Sequence, residues 1–208
     1  MFYEGGRMTP NYMKHAIIAV LAFAIGCGGT NIPRSAPGTY EIGRNGYQET
    51  LERYHEPQAR VTRLHNGMNI ESLIYSFASQ VASAAHNTNV VPTRVTIFHF
   101  HDDLLVGYEF TSSWEEDHSD FDELRVPQIV GGKSQRADVT ELLGEPTGYY
   151  GFPMTDEKDT NALVYRYNEI QQGGGRTSSF EKLLIVTLDA TGTVSDVDLT
   201  ATTSRIED

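Results

Sequence analysis

A single cysteine, Cys27, serves all 208 residues, so no disulfide forms within the chain and a packed core must supply its stability. Basic residues are scarce as well: 16 Lys and Arg stand against 28 Asp and Glu, a net charge of −12. A chain this acidic does not hold polyanions through general electrostatics, which argues against nucleic acid as a partner. No apolar run reaches the roughly 20 residues that a membrane-spanning helix needs.

Chemical motifs are also missing. No Gly-x-Ser-x-Gly elbow is present, and Cys27 is the one thiol. Gly132-Lys133-Ser134 is half of a phosphate-binding loop, but Pro127 stands where the full motif needs glycine. The carboxylates from Glu115 to Glu123 lack the alternating ligands and central glycine of a calcium loop and read as a solvated linker. His99, His101 and Asp103 alternate on one strand face, but a metal site needs a third or fourth ligand with support behind it that the spacing does not supply, and the segment reads as a solvent-facing hairpin edge with Phe98 and Phe100 turned inward. The expectation is therefore no catalytic residue, no cofactor and no metal.

What is present begins with Lys14 and His15, an apolar run from Ala16 to Ile25, and Gly26-Cys27, the order of parts in a secretory signal. Ala24-Ile25-Gly26-Cys27 resembles the lipobox at which bacteria acylate the cysteine and cut before it. The competing readings are an uncleaved anchor and an ordinary signal peptide. Met1, Met8 and Met13 are alternative starts. Gly28, rather than Asp, after the cysteine favours the outer membrane, lipid-anchored and facing the periplasm. Without residues 1–26 the chain keeps 14 basic and 27 acidic residues, a net charge of −13.

Residues 27–41 carry the Gly/Pro/Ser bias of a flexible tether. After them one pattern runs twice, about 90 residues apart, which predicts an α+β fold of two tandem units split near residues 114–120, one over 42–113 and one over 114–208. Each unit is a short helical segment packed on an antiparallel sheet. Val139, Leu142 and Leu143 make one helical stripe, capped by Ser134 and stopped at Gly144-Glu145-Pro146. Thr50, Leu51 and Tyr54 make the other, with Asn45 as cap and Glu56-Pro57 as stop. Asn66-Gly67 predicts a tight hairpin turn. Residues 70–78 read as a strand despite helical spacing that extends to 85, and the stretches to Asn89 and from Gln171 to Ser179 read as mobile loops.

Ile129, Gly132-Lys133-Ser134, Asp138-Val139 and Leu142-Leu143-Gly144-Glu145-Pro146, followed by a Tyr-bearing strand and an Asp-x-x-Gly hairpin, resemble the BamE/SmpA/OmlA group of outer-membrane lipoproteins. The tandem arrangement is similar to the β-lactamase-inhibitor protein. The first resemblance implies an accessory or scaffold in outer-membrane protein assembly, with envelope proteins, including the β-barrel assembly machinery, as partners. The second implies an inhibitor or ligand-binding module. Neither implies an enzyme. Tyr149, Tyr150 and Phe152, in the loop after Pro146, are the candidate protein-binding residues.

Overall fold

A computed structural model describes residues 29–79 and 89–206. The signal segment, Cys27 and most of the loop before Asn89 lie outside the described residues. Helix α1 (Tyr47–Tyr54) is followed by strands β1 (Ala59–His65), β2 (Met68–Ala78), β3 (Val90–Val91), β4 (Thr93–His101) and β5 (Leu104–Ser112). Two 3₁₀ turns then lead to helix α2 (Arg136–Leu143) and strands β6 (Gly148–Gly151), β7 (Asn161–Gly173), β8 (Arg176–Leu188) and β9 (Val194–Ile206).

All nine strands belong to one antiparallel sheet, ordered β1-β2-β4-β5-β6-β7-β8-β9 with β3 paired to β7. This overturns the expected pair of tandem helix-on-sheet units. The reason is β6, read from the sequence as a loop. Its four residues pair with β5 on one side and β7 on the other. Gly148 allows the approach, since a Cβ there would stand 2.1 Å from the Tyr108 carbonyl oxygen.

The two-residue turns follow from positive φ at both central positions: Asn66-Gly67, Asp102-Asp103 and Gly174-Gly175. Gly174-Gly175 therefore joins two 13-residue strands rather than centring a loop. The polar run from Glu169 to Ser179 hides that pairing from a hydrophobicity reading. Residues 70–78 are strand, as the repeat predicted, within Met68–Ala78.

Both helices present the stripes expected of them. Val139 of α2 is fully buried, with Leu142 and Leu143 packed beside it, and Thr50, Leu51 and Tyr54 line the inner side of α1. The caps differ. Gln135 starts α2, its N–H donating to Asp138 Oδ2 at 2.7 Å, while Ser134 Oγ accepts from the Val130 N–H and pins the preceding turn. Gly46 starts α1, with Asn45 and the Gly46 N–H both donating to the Glu49 carboxylate.

Every residue of β4 from Thr93 to Phe100 is buried, so both faces of the sheet are covered there. One face packs against the helices, in a cluster of Leu73, Tyr75, Phe98 and Phe100 under α1 and another of Leu163, Tyr165, Leu184 and Val186 under α2. The opposite face is enclosed by the curl of the sheet into a half-barrel. The Asn66 amide at the tip of the β1–β2 hairpin donates to the carbonyls of Pro153 and Thr155 in the β6–β7 loop, at 3.1 and 2.9 Å.

Candidate binding groove

A groove of about 710 Å³ lies on the helix-covered face, within the 300–1,000 Å³ range of small-molecule and side-chain sites. Thr96, Tyr108, Phe110 and Tyr149 form its floor, on β4, β5 and β6. Pro33 to Pro37 form one side, and Glu115 to His118 with Glu145 and Pro146 form the rest. Residues 29–40 are thus no free tether. Ile32 is buried, Arg34 donates through Nη2 to the carbonyls of Glu145 at 2.8 Å and Pro146 at 3.2 Å, and Tyr40 packs edge-on against Phe98 and Tyr108.

The acidic segment keeps Glu115, Glu116, Asp120, Asp122 and Glu123 exposed, as a solvated linker would, but is pinned to the sheet at Asp117. Arg94, 6% exposed, holds Asp117 at 2.8 Å and Glu116 at 2.7 Å, and lies over the Trp114 ring. Asp117 also accepts from Ser112 Oγ and the Arg34 N–H. Two of the four carboxylates around the groove are therefore committed to Arg94. Glu115 and Glu145 are exposed at its rim.

Three hydroxyls on the floor form no hydrogen bond among the described residues. Thr96 Oγ1, on a residue 3% exposed, has no hydrogen-bond partner among the described residues. Tyr108 and Tyr149 are half-buried, with ring centres 5.7 Å apart and planes tilted by 52°. Burial, reinforced by the neighbouring Tyr149 and Tyr40, pushes the Tyr108 phenol well above its ordinary range, so it stays protonated as a donor.

On the opposite face runs a buried polar chain. Ser72 Oγ lies 2.8 Å from His99 Nδ1, and His99 Nε2 lies 2.9 Å from Glu109 Oε1. Glu109 also accepts from Tyr150 and Arg166, and Arg166 pairs in turn with Glu181. Because a carboxylate only accepts, His99 donates to it through Nε2. Burial alone would raise the Glu109 pKa. The Arg166 charge and the hydrogen bonds from His99 and Tyr150 outweigh it and hold the carboxyl well below its ordinary range. Burial and the Glu109 charge push Tyr150 well above its own.

The order hydroxyl, imidazole, carboxylate is that of a serine-hydrolase triad. Yet Ser72 and His99 are 3% and 2% exposed and lie on the face away from the groove, and Glu109 is already filled by three donors. The chain braces the sheet across β2, β4, β5, β6, β7 and β8. It also corrects the reading of His99 as solvent-facing: the residue is 2% exposed. His101 stands at the strand end, its Nδ1 3.1 Å from the Asn69 carbonyl.

The structure separates the three aromatics expected to act together. Tyr150 is buried in the polar chain, Tyr149 is on the groove floor, and Phe152 is half-buried in the β6–β7 loop beside Lys158. Period-2 alternation along β6 sends Tyr149 and Tyr150 to opposite faces. The groove residues, spread from Pro33 to Tyr149, carry no local sequence signal; Pro33 and Pro37 read as tether composition. Among the described residues no three of His, Cys, Asp or Glu converge as a metal site.

No protein-family model matches the sequence, and no curated protein does. Among solved structures, a candidate beta-lactamase inhibitor protein from Streptococcus mutans aligns with 81% of this chain and 90% of its own, at 11% identity and a TM-score of 0.37.

Proposed function

We propose that the protein works by capturing another protein, held at the outer membrane and facing the periplasm by lipid on Cys27. The groove carries this reading: it is preformed, aromatic-floored, and has on its floor the Thr96 hydroxyl, which has no partner among the described residues. Preformed pockets with a few convergent polar groups bind without the entropy cost of building a site. The envelope-assembly reading rests on the pattern of residues 129–146 alone. Capture of one soluble protein, as an inhibitor does, asks only for the groove and is put first.

The test is a crosslinking pull-down from native membranes with the full chain and with Tyr108→Ala/Tyr149→Ala. The double variant should lose the captured protein at temperatures well below its own melting point, which falls because both rings pack on the core clusters. Capture that survives the double change would sink the groove as the binding surface. Recovery of barrel-assembly components in place of one soluble protein would restore the envelope-assembly reading. Cys27→Ser should separately release the chain from membranes and abolish lipid labelling.

A further inference from the structure

We infer that the groove takes a basic polypeptide segment, seating a Lys or Arg side chain over the Tyr108 ring between Glu115 and Glu145. This rests on the reading of the protein as a protein binder and specifies the chemistry of what it binds.

The first ground is charge. Of the four acidic side chains around the groove, Arg94 neutralises Glu116 and Asp117. Glu115 and Glu145 are exposed at the rim and form no ion pair among the described residues. A cation entering there meets these two carboxylates and the face of Tyr108, beside the Arg34 guanidinium on the Glu145 and Pro146 carbonyls and the Arg136 guanidinium 5.9 Å from the Tyr149 ring centre; aromatic faces attract cations most strongly where water is excluded.

The second ground is the buried Thr96 hydroxyl, left without a partner on the floor. An unmet hydroxyl costs free energy unless a ligand or water completes it. A carboxylate ligand would face Glu115 and Glu145 as like charges, and an apolar ligand would leave Thr96 unmet. An ammonium or guanidinium with its adjoining peptide carbonyl satisfies both.

The third ground is that the protein already binds one such segment. The stretch Pro33-Arg34-Ser35 lies along the groove with the Arg34 N–H on Asp117 and its guanidinium on the carbonyls of Glu145 and Pro146. An arginine in an extended chain is thus held by this wall through charge-assisted hydrogen bonds. The space beside it is lined by the same kinds of group.

The probes are acetyl-Gly-Lys-Gly-amide and acetyl-Gly-Glu-Gly-amide, titrated into the full chain and followed by NMR shifts and calorimetry. The lysine peptide should bind saturably, weaken as salt is raised, and lose at least tenfold in affinity in Glu115→Gln/Glu145→Gln. Thr96→Val, nearly isosteric, should weaken it severalfold without unfolding the protein. Equal binding of the glutamate peptide, or lysine binding unchanged in the glutamine variant, would overturn the inference. So would saturable binding of a neutral oligosaccharide such as maltotriose without binding of the lysine peptide. Loss of pull-down in Tyr108→Ala/Tyr149→Ala together with no lysine binding would overturn this inference while leaving the protein-binding reading standing.

Discussion

At the scale of single residues, the strongest commitments are the buried charges. Glu109 and Arg166 are 3% and 2% exposed, and removing one member of such a pair strands the other in a medium that solvates it poorly. Glu109→Gln should cost about 3 kcal/mol, read as a fall in the urea midpoint. Tyr150→Phe, which removes one of three donors to the same carboxylate, should cost about 2 kcal/mol. The sign of the pH response follows from the depressed Glu109 pKa. Its contribution is fully present above the unfolded carboxyl value of about 4.3 and is lost as pH falls below that toward the folded value. Melting temperature should thus drop more steeply between about pH 5 and pH 3 in the wild type than in Glu109→Gln. Parallel curves would show that Glu109 is not ionised in the fold.

At the scale of elements, what is local in the chain was legible and what is long-range was not. Val139, Leu142 and Leu143 announce α2 because helical periodicity needs only neighbours three and four apart. Asn66-Gly67 announces its hairpin because the turn needs φ > 0 at both positions. Strand β6 gives no such signal: Gly148, Tyr149, Tyr150 and Gly151 are too few to show alternation, and their pairing partners lie about 40 residues upstream and 13 downstream. The groove was illegible for the same reason, since Thr96, Tyr108 and Tyr149 meet only once β4, β5 and β6 are side by side. That makes Gly148 a sharp test. Gly148→Ala should lose about 1–3 kcal/mol, because its methyl group would press on the Tyr108 carbonyl, 2.1 Å away. Gly131→Ala, whose nearest contact is Ser195 O at 3.8 Å, should be tolerated. Equal melting temperatures for the two variants would show that β6 does not hold β5 this closely.

At the scale of the whole molecule, one sheet runs from β1 to β9, and the polar chain from Ser72 to Glu181 crosses the middle of it. Two units with separate cores would melt separately; a shared sheet braced by shared charges should unfold together. Trp114 fluorescence and far-UV circular dichroism should therefore give coincident urea transitions, and two resolved steps would contradict the single sheet as the folding unit. A mechanical consequence follows from the strap at residues 29–40. With a lipid on Cys27, about 7 Å of chain separates the anchor from Gly29, so any load on a captured partner runs to the bilayer through the strap. The strap is also a wall of the groove, fastened by Ile32 and by the hydrogen bonds of Arg34. Under the proposed capture at the groove, tension on the leash would peel away the wall that holds the partner. Pulled between residues 29 and 206 in an optical trap, the strap should detach before the sheet yields, at lower force in Arg34→Ala, and the captured partner should be let go in that same step.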